Sequence, residues 1–293
     1  MSAVPSGTAG TAGDAAPRPR PPLAAAGARR AALVLAAVAV VVQVAHPLLS
    51  GQVLTTATVV SVLVFAAASL VSAVATHGVR AAVVLALGAG GVGLVAEAVG
   101  VATGFPFGEY AYAGTLGPQV LGVPAVVPAA WLMMAWPTML AGRSVVDLLR
   151  KRFGPVPHWV AVPLAAWVLT AWDLSLDPQM VAAGHWGWLH PEPSLPGVPG
   201  IPLTNYAGWL LVSLVVHAVL HVGVPRAVRP GVPASAAIGA GAPALLLGWT
   251  WLGSALGNAA FFGRPWVALW VFAAMGLVAL PALAHLRRRS PTT

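Results

Sequence analysis

Glu97 and Asp173 are the only acidic residues inside the long apolar segments of this 293-residue chain, and Asp177 follows Asp173 by four. A carboxylate in hydrocarbon costs at least about 2.5 kcal/mol, so it persists where a partner or a function holds it. Two carboxyl groups whose surroundings differ can divide acid and base duties, which is the chemistry this trio offers. In Trp172-Asp173-Leu174-Ser175-Leu176-Asp177-Pro178-Gln179-Met180 a continuing helix would stack Asp173 and Asp177 on one face. Pro178 argues against continuation, because it disfavours helical geometry at the preceding residue. Asp177 therefore reads as the N-cap of a new short helix that ends near Gly184. Asp173 has no such structural reading and is the first candidate for a functional carboxyl group. Glu97 follows the Gly-rich stretch Gly88 to Gly93, where helices can approach closely. A buried hydrogen bond between spans and a catalytic role are both open to it.

Other side chains could complete such a site. The segment Phe105-Pro106-Phe107-Gly108-Glu109-Tyr110-Ala111-Tyr112 is aromatic and adds a further acid, Glu109. Tyr110 and Tyr112 are either hydrogen-bond donors in a lid or interfacial anchors. Trp172, Trp186, Trp188, Trp209, Trp251 and Trp266 read mainly as belt residues, with one or two lining a pocket. Asn205 opens an apolar run and either orients a substrate or caps a helix. His185 and His190 lack metal spacing with the acids, and no metal site is expected. His217 and His221 are four apart, without the Glu of a zinc protease motif, and read as interfacial.

The elements that must position these groups are apolar runs near 31–49, 53–75, 80–101, 121–142, 157–176, 205–224, 233–257 and 265–286. Each approaches the roughly 20 residues of a spanning helix. With 58% hydrophobic and 8% charged residues, an all-α polytopic membrane protein of about eight transmembrane helices is expected. Prolines 124, 128 and 137 in the fourth run predict kinks rather than a break. Cysteine is absent, which excludes disulfides, thiolate metal sites and a cysteine nucleophile. The net charge of +8 does not point to nucleic acid, because the basic residues fall in short clusters between apolar runs. Both termini on the cytoplasmic side puts 14 of the 15 basic residues inside and leaves only Arg264 outside. Residues 1–30 read as a disordered cytoplasmic tail, 31–286 as one transmembrane domain and 287–293 as a basic cytoplasmic tail. Glu109 and Glu192 then occupy outer loops around 102–122 and 177–204, and Glu97 and Asp173 lie about one helical turn below the outer surface.

Three stretches carry a resemblance: Gly104-Phe105-Pro106-Phe107-Gly108-Glu109-Tyr110; Ala171-Trp172-Asp173-Leu174 with Leu176-Asp177-Pro178-Gln179-Met180; and Ile201-Pro202-Leu203-Thr204-Asn205-Tyr206 with Gly208-Trp209. In this order they resemble the membrane-integral carotenoid hydratases, from about the third span to the end of the sixth. The resemblance implies hydration of the terminal double bond of an acyclic carotenoid end group to a tertiary alcohol. Substrates of the family include lycopene-like or γ-carotene ψ-ends and C50 bisanhydrobacterioruberin. It implies no metal or organic cofactor, a carotenoid partner within the bilayer of the cell membrane, and other carotenoid-biosynthesis enzymes as neighbours. On this reading protonated Asp173 delivers a proton, and Trp172, Tyr110 or Trp186 stabilises the cation. Glu97 or Glu109 then activates water, with Asp177, Tyr112, Gln179 and Asn205 completing the site.

Two other classes are weighed against it. An intramembrane prenyltransferase would use the Asp173/Asp177 spacing to hold magnesium diphosphate, but needs a second acidic motif and nearby basic residues. A transporter or non-catalytic carotenoid-binding scaffold would use the acids for proton coupling or helix tethering, although no inverted repeat is evident.

Overall fold

Apolar runs long enough to cross a bilayer must satisfy their backbone internally, and here they do so as helices. The computed structural model describes residues 23–229 and 241–287. In chain order the long helices are α1 (Leu23–Val44), α2 (Gly51–His77), α3 (Val79–Thr103) and α4 (Val127–Phe153). They continue with α5 (Ala161–Ala182), α6 (Leu203–Gly223), α7 (Ala242–Ala260) and α8 (Pro265–Arg287). The chain is an all-α polytopic membrane protein. By length and composition, six segments among the described residues suit a crossing, and they fall on α1, α2, α3, α5, α6 and α8. The expected count of eight is not reached on that measure, because Trp, Pro, Thr and Arg143 dilute the apolar residues of α4, and Trp, Gly, Ser, Thr and Asn those of α7.

α4 is the axis of the bundle. Trp131 through Val146 are all buried, with α2, α3, α5, α7 and α8 packed around them. Such all-round burial explains why this helix tolerates Pro137 in its interior. It also holds Arg143, whose guanidinium donates to Val224 O at 2.8 Å and Pro225 O at 3.0 Å. His217, expected at the interface, is instead buried in α6. Its Nδ1 lies 2.8 Å from Ser213 O and its Nε2 3.0 Å from Thr138 Oγ1 on α4.

Several boundaries differ from the apolar runs. α1 starts at Leu23, so residues 23–30 are helical rather than disordered, as Ala25, Ala26, Ala28, Arg29 and Arg30 favour. The rest of the expected N-terminal tail, residues 1–22, lies outside the described residues, as do 288–293 and the first part of the seventh run. α4 begins at Val127 rather than 121, because β2 (Gln119–Val120) and β3 (Val123–Pro124) form a tight hairpin. Its turn residues, Leu121 and Gly122, have φ of 54° and 79°, as a two-residue hairpin loop of the primed type requires. α3 contains a π-helical turn at Ala86–Gly91, the Gly-rich stretch.

The correction that matters most for the site is in α5. It runs through Pro178 to Ala182, so Asp177 is an interior helical residue and not an N-cap. Pro178 lacks one N–H, a local cost outweighed by packing the apolar residues of this helix, among them Leu169, Trp172 and Met180, in the bundle. Asp173 and Asp177 consequently share a face, as the four-residue spacing gives for an unbroken helix.

The two long loops, one after α3 and one after α5, are not plain coil. β1 (Tyr110–Tyr112) from the first pairs antiparallel with β4 (Trp186–Trp188) from the second, while β5 (Ser194–Leu195) and β6 (Val198–Pro202) pair within the second. The β1–β4 ladder stitches together two loops more than 70 residues apart in sequence, over the ends of α3, α5 and α6.

Candidate functional site

In a strand, alternate side chains share a face, and the ladder register places Tyr110 opposite Trp188 and Tyr112 opposite Trp186. The four rings lie on one side, with Ala111 and Gly187 on the other. Ring centroids are 5.8 Å apart for Tyr110–Trp188 and 5.6 Å for Tyr112–Trp186. This aromatic face roofs a cavity that Glu97, Asp177, Asn205, Trp131 and Trp209 also line.

Glu97 is 5% exposed, and both of its oxygens are engaged. Tyr110 donates to Oε2 at 2.6 Å and Tyr112 at 2.8 Å, while the Trp131 indole donates to Oε1 at 3.0 Å. Two glycines on the Glu97 face of α3 make this possible. A Cβ on Gly93 would lie 2.5 Å from Trp131 Cγ, and one on Gly100 would lie 2.9 Å from the Tyr110 hydroxyl. Spacing of four and three residues from Glu97 puts both gaps on the helix face that carries the carboxylate. Burial, then the negative charge of Glu97, pushes the Tyr110 and Tyr112 phenols well above their usual range, so both remain donors.

Asp173 and Asp177 meet a different supply. Asn205 lies near the start of α6, and its amide nitrogen donates to Asp173 Oδ2 at 2.8 Å and also to Asp177 Oδ2. Trp186 donates to Asp177 Oδ1 at 3.0 Å. Asp173 Oδ1 has no hydrogen-bond partner among the described residues, and neither does the buried Tyr206 hydroxyl. Asp173 itself is completely buried and lies behind Asp177, which is the member of the pair that lines the cavity.

Most of the sequence candidates converge here: Glu97, Asp177, Asn205, Tyr110, Tyr112 and Trp186 line one cavity, with Asp173 joined through Asn205. Three do not. Glu109 is exposed and faces His190 across 3.6 Å. Trp172 is buried with its ring edge toward Trp209, at a centroid distance of 5.9 Å, and Gln179 lies beside it on a second, neighbouring cavity. The reading of the tryptophans as belt residues is corrected for Trp172, Trp209 and Trp251, all buried, whereas Trp266 is half exposed. Trp131 was not singled out from sequence, yet it donates to Glu97 and stacks on Trp209 at 4.0 Å. The signal was a Trp well inside an apolar run, where its N–H must find a partner. Tyr-Ala-Tyr and Trp-Gly-Trp likewise carried the strand period of two.

The arrangement gives a roofed, aromatic-walled cavity holding one carboxyl group rich in donors and another that shares its donor with a second acid. Such a site can pass a proton to an uncharged, apolar molecule and shelter a transient positive charge.

Comparison with known proteins agrees in kind. The sequence profile of a family described as "Carotenoid biosynthesis protein" matches residues 56–237, starting one span earlier than the motif resemblance. A protein named bisanhydrobacterioruberin hydratase, from Haloarcula japonica, is 37% identical over 132 residues, covering 45% of this chain and 42% of that protein. The chain thus matches less than half the length of this curated relative. No solved structure matches.

Proposed function

The chain belongs to the carotenoid biosynthesis protein family, and we propose that it is a hydratase acting on the terminal C=C of an acyclic carotenoid end group. The substrate class is C50 bisanhydrobacterioruberin or the ψ-end of lycopene or γ-carotene, and the product is a tertiary alcohol. The observation that carries this reading is the pair of unlike carboxyl environments, Glu97 and Asp177, on one aromatic cavity.

Two carboxyl groups held on one amide nitrogen cannot both be ionised, so the Asp173–Asp177 pair keeps a proton. Asp177, the member on the cavity, delivers it to the less substituted alkene carbon, and the π bond breaks to leave a tertiary cation. The faces of Trp186, Trp188 and Trp209 and the anionic Glu97 stabilise that cation. Glu97 takes the anionic role in this scheme because two phenols and an indole donate to its two oxygens. Water attacks the cation through oxygen. Its surplus proton goes to Glu97 Oε1, which accepts from Trp131 alone, and then returns to the aspartate pair to close the cycle. Asn205 and Asp173 position Asp177, while Tyr110, Tyr112 and Trp131 hold Glu97. Glu109, exposed and outside the cavity, has no part in this scheme.

The same proposal includes eight crossings with both termini on the inner side of the cell membrane, which leaves the site at the outer face. The distribution of 14 of 15 basic residues supports it. Expression in a host that makes lycopene, and separately in one that makes bisanhydrobacterioruberin, tests the reaction. Pigment heavier by one or two waters is the expected result. Unchanged pigment in both, with folded protein in the membrane, would favour a carotenoid-binding scaffold or a transporter.

A further inference from the structure

A second cavity adjoins the first, and its walls are of another kind. Gln43, His46, Ser175, Gln179, Ser254 and Asn258 line it, in a space of about 110 Å³ for water-sized molecules, with no charged side chain among its lining residues. Neutral hydroxyl, amide and imidazole groups buried in a membrane bundle need hydrogen-bond partners, and several do not exhaust their capacity on protein. Asn258 is 3% exposed. Its amide nitrogen donates to Ser254 O at 2.9 Å, but its Oδ1 has no partner among the described residues.

Four side chains line both cavities and form the partition: Thr58 and Val62 from α2, Leu176 and Met180 from α5. Thr58 is the polar one. Its hydroxyl has two acceptors in reach, Leu54 O at 3.0 Å and His46 Nε2 at 3.3 Å. His46 Nδ1 lies 2.9 Å from Val42 O, so it carries the ring proton and leaves Nε2 as acceptor. A hydroxyl with two alternative acceptors can rotate between them and keep lone pairs free for a third group.

We propose that this polar cavity is a water-binding chamber that feeds the carboxylate cavity across the Thr58 partition, supplying the molecule that captures the cation. The inference rests on the hydratase reading, because only a reaction that consumes water needs such a supply. In that reaction protonation and capture are separate steps. A cation not met by water loses its proton and returns to the alkene. In deuterated water a return that expels the carbon's original hydrogen leaves deuterium in the alkene, so exchange reports protonation and alcohol reports capture.

The test is purified Thr58→Val and Asn258→Leu protein, each given an acyclic carotenoid in deuterated water, with deuterium in recovered alkene measured beside alcohol formed. Thr58→Val keeps the side-chain shape and removes the switchable hydroxyl, and Asn258→Leu removes the anchor at the far wall. Both variants are expected to raise the ratio of exchange to hydration at least about tenfold, the scale of a misplaced reactant. If both retain the wild-type ratio, or if exchange and hydration fall together, the chamber does not supply the water. Wild-type protein that forms no alcohol sinks the hydratase reading itself, a separate outcome from these.

Discussion

Glu97 and the Asp173–Asp177 pair are both buried acids beside one cavity, yet they differ in what surrounds them. Glu97 has three donors for one carboxyl group: two phenols and an indole. The aspartates have the two hydrogens of the Asn205 amide and one indole N–H between two carboxyl groups, with one oxygen unpartnered among the described residues. Donor supply decides which form of a buried acid is comfortable, since an anion uses donors and a neutral acid brings its own. In the proposed reaction this contrast makes α3 carry the base and α5 the acid.

The largest effect should come from Asp177→Asn, which keeps size and hydrogen bonding but cannot deliver a proton. Hydration should fall by about 10²–10⁴-fold with carotenoid still co-purifying, as measured by alcohol formed per bound pigment. Glu97→Gln tests the other pole. Its amide would point donors at donors, so it should lose both about 10²-fold in rate and roughly 1–3 kcal/mol of stability, read by thermal melting in detergent. Asp173→Asn should separate the two poles again. With one neutral group in the pair already, the amide should be tolerated without loss of melting temperature, while hydration drops about tenfold through mispositioned Asp177. A melting temperature that falls with Asp173→Asn as far as with Glu97→Gln would erase the distinction.

Packing and pH give smaller effects. Gly100→Ala would push a methyl group against Phe107 and the Tyr110 hydroxyl. It should cost about 1–3 kcal/mol and loosen Glu97 more than the aspartates, with Tyr110→Phe partly relieving it. The buried phenols of Tyr110 and Tyr112 titrate well above the unfolded value, so the folded chain holds protons that the unfolded chain releases. Stability should therefore be full below about pH 10 and fall above it. Melting across that range should show a shallower decline in the Tyr110→Phe, Tyr112→Phe double variant.

How much of this could be read beforehand divides along the same line. The helices were visible as apolar runs, because hydrocarbon leaves the backbone no alternative. Glu97, Asp173, Asn205 and the two tyrosines stood out because polar groups in such runs need a reason. What failed were local rules overridden by packing. Pro178 marks a boundary in a helix exposed to water, but here α5 continues through it and Asp177 turns from a cap into a cavity residue. The tryptophans read as a belt because that is their usual place, and only the fold brings Trp131 and Trp209 together at 4.0 Å. The β1–β4 ladder was hidden for another reason. Each strand is three residues long, and pairing between loops so far apart depends on the helices that carry them. Glu109 shows the opposite error, an acid in the right loop whose neighbour Tyr110 turns inward while it points to His190.

The most direct test is to give the purified protein an acyclic carotenoid in water enriched in oxygen-18 under exclusion of oxygen gas, and to weigh the product. The account predicts one heavy oxygen for each reacted end group with wild-type protein and at least about a hundredfold less labelled product with Asp177→Asn. Product formed without the label, or as much labelled product from the Asp177→Asn variant, would contradict it.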